Sequence, residues 1–183
     1  MEYRELLLGC GNERRKLLSH PMRPGWSNLT TLDINPRCLP DILWDLESLR
    51  EGGRIPLVTG KPTPDDYYDE IHAYQILEHI GQQGDYRTFF AHFSEFWRIL
   101  KPQGIFAASV PMWNTDGAWG DPGHRRVITA MTLSFLSQEQ YEQQVGVTQM
   151  TDYRDIYKAN FRSESAWLSD GDQTLNFVLR AVK

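Results

Sequence analysis

The chain has 183 residues, of which 40% are hydrophobic and 12% aromatic, and its formal net charge is −5. This length and composition can bury a core without metals or disulfides, and they exclude a disordered chain. The acidic balance and the lack of long Lys/Arg blocks argue against a general nucleic-acid binder. The two cysteines, Cys10 and Cys38, form no CxxC motif, and no apolar run approaches the roughly 18 to 20 residues of a membrane span. We predict a single cytoplasmic domain over residues 1–183 with no membrane segment.

Strand-like and helix-like segments alternate along the chain, which favours a mainly parallel sheet with helices on both faces. The predicted strands cover residues 4–8, 29–34, 41–44, 68–74 and 104–110. Two later segments, 155–163 and 174–182, are typical of a closing hairpin with Asp170 and Gly171 near its turn. The fold class predicted from this pattern is α/β.

A long amphipathic helix is predicted over residues 85–100, between the fourth and fifth strands. Its apolar residues recur at three- and four-residue intervals and form one stripe, which consists of Tyr86, Phe89, Phe93, Phe96, Trp97 and Leu100. Pro102 and Gly104 end the helix. We interpret the stripe as core packing rather than as a cofactor site. Farther on, "SQEQ" at 137–140 predicts a capping box that opens a second, short helix.

The first strand runs into "LLLGCGNER", in which Gly9 and Gly11 flank Cys10. A loop after a buried strand lies at the carboxyl edge of the sheet, where open α/β folds bind ligands, and glycines let a ligand approach the backbone. A P-loop would need Lys followed by Ser or Thr, and a dinucleotide fingerprint would need a glycine where Arg14 stands. Because both are absent, the loop favours a nucleoside without a pyrophosphate, such as S-adenosylmethionine.

Two carboxylates follow at the ends of the next two strands. Asp33 ends the second strand about twenty residues beyond the glycines, where a carboxylate can accept both hydroxyls of a ribose. Asp45 ends the third strand and is placed to accept from the adenine amino group, with Leu46 against the ring. Each carboxylate has a structural alternative, since Asp33 could cap the Asn35-Pro36 turn and Asp45 a helix that starts near Leu46. The order of the three features at successive strand ends favours the cofactor site.

These motifs together resemble the class I S-adenosylmethionine-dependent methyltransferases. "LLLGCG", "TLDIN" and "ILWDL" look like the first three motifs of that family. "YDEIHAYQILEHI" is similar to its fourth strand and the helix that follows, and "FWRILKPQGIFAASVP" to its fifth-strand segment. Within the family, the segment "GDPGHRRVIT" after strand five is similar to that of some small methyltransferase-domain proteins.

The resemblance implies a Rossmann-like sheet of seven strands in the order 3-2-1-4-5-7-6, with strand seven antiparallel. It implies that the glycine loop contacts the methionine part of S-adenosylmethionine and that the end of strand four lies near the methyl group. The implied cofactor residues are Gly9, Cys10, Gly11, Asp33, Ile34, Asp45, Leu46, Tyr74 and Gln75.

The chain departs from the family pattern in three places. Leu7 stands where the first motif usually carries an acid. The segment 12–28 contains Pro21, Pro24 and Gly25, which predicts that the first helix is short or replaced by a loop. No extension precedes the first strand, so the substrate is expected to be open to solvent or covered by a later loop.

Two groups of residues are candidates for the chemistry at the methyl group. Methyl transfer depends on positioning, and a base that removes the acceptor's proton adds about 10² to 10⁴ in rate. Glu78 and His79, in "LEHI", follow strand four, and an imidazole with a pKa of about 6.5 can titrate at working pH. Asp121 and His124 lie in an irregular segment after strand five and are placed to contact the acceptor. The alternatives are that Glu78 and His79 orient loops and that Asp121 belongs to a turn.

The same irregular segment, residues 111–126, carries residues suited to binding an acceptor. Trp113 and Trp119 could form an apolar or sugar-stacking wall, and Arg125 or Arg126 could contact an anionic substituent. A metal site is not expected, because Glu78 and His79 with a distant His124 are too scattered to predict one.

The sequence therefore predicts an enzyme that transfers a methyl group from S-adenosylmethionine to an O or N nucleophile of a small molecule, with a saccharide among the candidates. A nucleic-acid methyltransferase is the main alternative. It is disfavoured by the acidic charge and by the absence of an Asn/Asp-Pro-Pro-aromatic tetrapeptide and of a Pro-Cys pair after strand four. A non-catalytic cofactor-binding domain stays open, and a nicotinamide oxidoreductase is disfavoured by Arg14. The sequence gives no oligomeric state.

Overall fold

The computed structural model describes residues 2–19 and 22–183, which form one seven-stranded sheet in the order β3-β2-β1-β4-β5-β7-β6. Strands β1 to β5 pair in parallel, and β7 is antiparallel to both of its neighbours. The strands are β1 Glu5–Leu8, β2 Leu29–Asp33, β3 Ile42–Leu43, β4 Tyr68–Tyr74, β5 Leu100–Pro111, β6 Phe161–Ser169 and β7 Thr174–Ala181. The predicted strand order and the antiparallel strand are confirmed.

Two strands begin more than one residue from the start that the sequence predicts, whereas β1 and β3 begin one residue later than predicted. β5 starts at Leu100 instead of residue 104, because Leu100 pairs with Tyr68 and the four residues 101–104 then bulge out before Ile105 pairs with Glu70. β6 starts at Phe161 rather than residue 155. Of the six residues before it, Tyr157 and Ala159 pack into the main core, and Asn160 is linked to the sheet through its carbonyl, which accepts from the Val182 N–H at 2.9 Å.

Four α-helices and three 3-10 turns connect the strands of the described chain. The helices are α1 Tyr86–Ile99, α2 Asp116–Trp119, α3 Ala130–Ser134 and α4 Gln138–Gln144, and the 3-10 turns are Pro36–Cys38, Leu46–Glu51 and Leu77–His79. None of the helices in residues 2–19 and 22–183 is long and apolar enough to cross a bilayer.

The predicted long helix is confirmed, and the structure adds a cap at its start. Asp85 precedes α1, and its Oδ1 accepts from the Thr88 backbone N–H at 3.1 Å. The stripe residues Phe89, Phe93 and Phe96 are buried, as a helix packed on a sheet requires. Ser137 caps α4 by accepting from the Gln140 N–H, while a full reciprocal capping box lies at Thr129 and Thr132, where α3 begins.

The main core lies on one face of the sheet. Leu6 and Leu8 of β1, with Phe106 of β5 and Phe177 of β7, point to this face, and α1, α3 and α4 cover it. This main core packs the helices against the strands and so holds in place the strands whose carboxyl ends carry the candidate site.

The opposite face has little helical cover. Leu7 alternates with Leu6 and Leu8 and therefore points away from the main core, into a small cluster with Cys10 and Cys38. The 3-10 turn Pro36–Cys38 and the irregular segments 12–19 and 22–28 cover this cluster. The sequence predicts that the first helix is short or replaced by a loop, and this is confirmed for the described residues. Helices are predicted on both faces of the sheet, but the cluster on this face is covered by one 3-10 turn and irregular segments.

A buried polar network holds the irregular segment against this face. The Lys16 ammonium contacts Glu5 and lies 2.6 Å from Glu70 Oε2, and all three side chains are buried. His72 Nε2 lies 2.8 Å from the same Glu70 oxygen, and its Nδ1 lies 2.6 Å from the Tyr74 hydroxyl. Burial lowers the pKa of His72. Burial alone would raise the pKa of Glu70, but hydrogen bonds from His72 and Lys16 hold it below its ordinary value.

Candidate functional site

The glycine loop after β1 has the geometry that requires glycine. Gly9 and Gly11 have φ values of +60° and +49°, in the left-handed region that other residues rarely adopt. A Cβ on Gly9 would lie 2.6 Å from Ile76 Cγ1, so Gly9 is needed where the loop packs against the end of β4. A Cβ on Gly11 would meet no atom of the described residues within 4 Å, so the backbone there is open to a ligand. Between them, the Cys10 side chain is buried and its N–H donates to the Leu32 carbonyl at 3.2 Å.

Asp33, at the end of β2, joins the glycine loop to the neighbouring strand. Its Oδ2 accepts from the Gly11 N–H at 2.8 Å, and its Oδ1 accepts from the Asn35 N–H at 2.8 Å. Asp33 therefore caps the turn, as the structural alternative held, and it also braces the loop. Ile34 follows with 63% of its surface exposed, which leaves an apolar side chain at the carboxyl edge beside this carboxylate.

Asp45 and Leu46 follow β3 at the same edge. Asp45 is exposed, and its Oδ1 accepts from the Glu47 N–H at 2.9 Å, which caps the 3-10 turn. Leu46 is buried in the main core, and its carbonyl oxygen lies 2.9 Å from His92 Nε2. The structure thus shows the capping contact, while the contact of these residues with adenine stays a prediction.

The end of β4 places one of its two predicted residues in a cleft. The Tyr74 hydroxyl is engaged by the Leu18 N–H at 3.1 Å and by His72 Nδ1, so the ring lies under the irregular segment. Gln75 has a φ of +51°, its N–H donates to the Ser109 carbonyl at 2.9 Å, and its side chain Nε2 donates to Ser109 Oγ at 3.3 Å. Gln75, directly after β4, is one of the residues that line this cleft.

This cleft has a volume of about 440 Å³, in the size range of small-molecule sites. It is lined by Leu17, Leu18, Gln75, Ser109, Trp167, Ser169, Asp170, Thr174 and Asn176. Apart from Gln75, the sequence did not indicate these residues. Ser109 of β5 and Asn176 of β7 are paired in the antiparallel register and buried. The available signal in the sequence was one polar residue within each of two apolar runs, 105–111 and 175–179.

The two groups of acid–base candidates meet at one place. One ligand atom from each of Glu78, His79 and His124 lies within 4.8 Å of the others, and the two imidazole rings are 4.5 Å apart. Backbone contacts from the loop after β5 hold this arrangement, because the Arg125 N–H donates to the Glu78 carbonyl at 2.8 Å. These three residues are too scattered along the sequence to predict a metal site, and the fold brings them together. We call Glu78, His79 and His124 the Glu–His cluster.

Glu78 is the most unusual member of the cluster. Only 2% of its surface is exposed, and among residues 2–19 and 22–183 neither carboxylate oxygen has a hydrogen-bond partner. Burial therefore raises the pKa of Glu78 to about 7. Asp121 lies beside the cluster, with its Oδ2 at 3.8 Å from His124 Nε2 and its Oδ1 accepting from the Gly123 N–H at 2.6 Å. Asp121 is thus both a turn residue and a neighbour of the histidine.

The three predicted substrate-binding residues are exposed. Trp119 Nε1 donates to the Trp113 carbonyl at 2.6 Å, so the Trp119 side chain lies against the Trp113 backbone after β5. Arg125 Nη1 lies 3.3 Å from Glu47 Oε1, which ties the loop after β5 to the 3-10 turn after β3. Contacts of these residues with an acceptor stay predictions.

Comparison with known proteins supports the fold. No protein-family model matches the chain, and no curated protein sequence matches it. Among solved structures, a SAM-dependent methyltransferase from Archaeoglobus fulgidus is similar with a TM-score of 0.58 and 15% identity, over 98% of this chain and 86% of that one. The N-methyltransferase NodS from Bradyrhizobium japonicum WM9, in complex with S-adenosyl-L-homocysteine, gives a TM-score of 0.56 and 12% identity, over 99% and 79%.

The same fold also serves other reactions. The [4+2]-cyclase SpnF is similar with a TM-score of 0.53 and 15% identity, over 99% of this chain and 76% of that one. The chain therefore has the fold of the class I S-adenosylmethionine-dependent methyltransferases, and its activity has to be argued from the residues at the carboxyl edge.

Proposed function

We propose that this chain is a single-domain, cytoplasmic methyltransferase that uses S-adenosylmethionine. The observation that carries the proposal is the 2.8 Å hydrogen bond from the Gly11 N–H to Asp33, which brings the open glycine loop and the β2 carboxylate to one point of the carboxyl edge. The fold of its structural neighbours supports the same cofactor. The two buried cysteines carry no disulfide, which agrees with a reducing compartment.

The cofactor is proposed to lie across the ends of β1, β2 and β3. Its methionine part would approach the backbone at Gly9 and Gly11, its ribose hydroxyls would donate to Asp33, and its adenine would reach Asp45. Ile34 is exposed at this edge and offers an apolar surface to the nucleoside. The missing acid of the first motif, at Leu7, leaves the methionine ammonium to be bound by backbone carbonyls or by solvent.

The cleft beside Gln75 is proposed to take the methyl acceptor. Its volume of about 440 Å³ suits a small molecule, and its polar side chains are neutral except for Asp170 at the turn between β6 and β7. Neutral amides and hydroxyls beside the exposed Trp167 ring favour an uncharged polar acceptor, which includes a saccharide. A nucleic acid is not expected, because the net charge of −5 would repel its phosphates.

The reaction would be an in-line displacement at the methyl carbon. The C–S bond of the sulfonium breaks as a bond forms from the acceptor O or N to the methyl carbon, and S-adenosylhomocysteine leaves. The acceptor's proton is proposed to pass to the Glu–His cluster, of which His79 is partly exposed and Glu78 buried, with Asp121 beside His124. A base in this position contributes about 10² to 10⁴ in rate.

Calorimetry with S-adenosylmethionine, S-adenosylhomocysteine, NAD and NADP tests the cofactor. We expect binding of the first two only. Asp33→Ala should weaken that binding by about 1 to 3 kcal/mol, the range for losing hydrogen bonds to a charged group. Asp152→Ala, which breaks an exposed ion pair with Arg154 outside the proposed site, is the matched control and should leave affinity unchanged. Binding of NAD alone would refute the proposal.

Turnover separates the remaining alternatives. Release of S-adenosylhomocysteine is measured over a pool of small metabolites and, separately, over DNA and RNA. Turnover with metabolites supports the proposal, and turnover with nucleic acid alone supports the main alternative. Tight cofactor binding without turnover on either pool would indicate a non-catalytic cofactor-binding domain.

A further inference from the structure

Two clusters of metal-ligating side chains lie in the described part of the chain, and only one of them contains its own cation. The first consists of Glu5, Glu70 and His72, and the Lys16 ammonium contacts both of its carboxylates. That cluster is satisfied by a lysine, since a buried carboxylate needs a charge partner or a proton.

Within the part of the chain that the structure describes, the Glu–His cluster has no such partner. Both oxygens of Glu78 lack a hydrogen bond from any described residue, although only 2% of its surface is exposed. The two arginines that follow His124 are directed to other acceptors. Arg125 pairs with Glu47 at 3.3 Å, and Arg126 Nη2 donates to the carbonyls of Gln82 at 3.0 Å and Asp85 at 2.8 Å. The positive charge that would compensate Glu78 is therefore not supplied by these side chains.

The two imidazoles are oriented as metal ligands usually are. His79 Nδ1 lies 3.2 Å from the Gly123 carbonyl, and His124 Nδ1 lies 3.4 Å from the Ala118 carbonyl. A carbonyl only accepts, so each Nδ1 carries the proton and each Nε2 of the neutral ring presents a lone pair. Histidines that bind metals commonly donate their other N–H to a carbonyl or carboxylate in this way.

We infer that the Glu–His cluster binds a divalent first-row transition metal ion, through the Glu78 carboxylate and the Nε2 atoms of His79 and His124. Two imidazoles and one carboxylate suit Zn²⁺ or Co²⁺, whereas Mg²⁺ and Ca²⁺ prefer oxygen ligands throughout. Three protein ligands leave a position open for water or substrate, as in catalytic sites.

Binding requires a modest closure of the cluster. One candidate ligand atom from each residue, which is one of the two ring nitrogens in each histidine, lies within 4.8 Å of the others. Metal–ligand bonds of about 2.0 to 2.2 Å in a tetrahedral site would place the ligand atoms roughly 3.3 Å apart. His79 and His124 are only partly buried, so rotation of their rings can provide this closure. Asp121, at 3.8 Å from His124 Nε2, is near enough to orient that ring or to join the ion.

The metal ion would also have a role in the proposed methyl transfer. This role rests on the proposed function, whereas metal binding itself does not. A bound divalent ion lowers the pKa of a hydroxyl or water that it binds. An acceptor hydroxyl on the open position would then lose its proton to solvent before attacking the methyl carbon. The cluster would in that case promote deprotonation through the ion, and His79 would be a ligand rather than the direct base.

Metal binding is tested on the full chain without any acceptor. The protein is freed of metal with a chelator and titrated with Zn²⁺ and Mg²⁺ by calorimetry, and with Co²⁺ by visible absorption. We expect one Zn²⁺ per chain, no comparable Mg²⁺ binding, and the intense ligand-field bands of low-coordinate Co²⁺. Glu78→Gln and His124→Asn should each weaken Zn²⁺ binding by more than roughly 100-fold, beyond the loss typical of outer-shell changes.

Glu139→Gln, an exposed carboxylate on α4, is the control and should bind Zn²⁺ like the parent chain. Thermal stability gives a second readout. Zn²⁺ should raise the melting temperature of the parent chain but not that of Glu78→Gln, and Glu78→Gln without metal should melt no lower than the parent at mildly alkaline pH. If Glu78→Gln does not fold, His79→Asn, at a partly exposed position, replaces it.

Absence of Zn²⁺ and Co²⁺ binding, or undiminished binding by Glu78→Gln or His79→Asn, would overturn the inference. S-adenosylhomocysteine is titrated into the same metal-free samples. Cofactor binding without metal binding would overturn the metal site and leave the proposed function standing. Metal binding without cofactor binding would overturn the proposed function and leave the metal site standing.

Discussion

Lys16→Met tests the buried network that replaces the first helix. The Lys16 side chain is 1% exposed and lies between Glu5, 0% exposed, and Glu70, 4% exposed. Methionine keeps much of the volume but removes the charge, which leaves two carboxylates buried without their cation. Removing one partner of a buried ion pair costs about 3 to 5 kcal/mol, so we expect a loss of that size in the free energy of unfolding.

The loss is measured by urea denaturation followed by tryptophan fluorescence. Arg162→Met is the matched control, because Arg162 is 58% exposed in its pair with Glu164, and exposed pairs contribute about 0 to 1 kcal/mol. Hydrogen exchange at residues 12–19 should also speed up in Lys16→Met, since the network ties this segment to the sheet. A loss below about 1 kcal/mol, equal to that of the control, would refute the reasoning.

Three further predictions concern stability. Gly9→Ala should destabilise the fold and weaken cofactor binding more than Gly11→Ala does. Both glycines have a positive φ, but only at Gly9 would an added Cβ lie 2.6 Å from a neighbouring atom. Urea denaturation measures the first loss and calorimetry the second, and equal losses for the two variants would contradict this prediction. The free energy of unfolding should fall as the pH drops below about 4.5, because the folded-state pKa values of Glu70 and His72 lie below their ordinary values and the unfolded chain therefore binds more protons. Between about pH 7 and 4.5 the raised pKa of Glu78 acts in the opposite direction, so the test is confined to the lower range. Urea denaturation at several pH values below about 4.5 checks this, and a rise in stability on acidification there would be inconsistent with it. Asp85→Ala should cost about 0.5 to 2 kcal/mol through loss of the α1 cap, and an unchanged urea midpoint would show that the cap contributes nothing.

Local patterns were sufficient to predict most of the fold. Alternation and apolar runs indicated β1 to β5, and the apolar stripe indicated α1 within one residue at each end. The start of β6 could not be predicted in the same way. Tyr157 lies in the segment taken as strand, but it stacks on Phe90 with ring centroids 4.7 Å apart and is buried without joining the sheet. Apolar content alone does not distinguish a strand from a turn that fills the core.

The candidate site was predictable where it depends on order along the chain. Gly9, Gly11 and Asp33 follow successive strands, and parallel strands place such residues at one edge. The cleft was not predictable, because Ser109 and Asn176 meet through the β5–β7 register, which no local signal reveals. The missing partner of Glu78 was equally hidden, since it depends on where every neighbouring side chain points.

The central claim is that the carboxyl edge binds a nucleoside without a pyrophosphate, with Asp33 on its sugar. A crystal structure of the chain with S-adenosylhomocysteine tests this directly. The account predicts the ribose hydroxyls within hydrogen-bond distance of Asp33 and the amino-acid part over Gly9 and Gly11. Density for the ligand away from this edge, or an edge without ligand at saturating concentration, would contradict it.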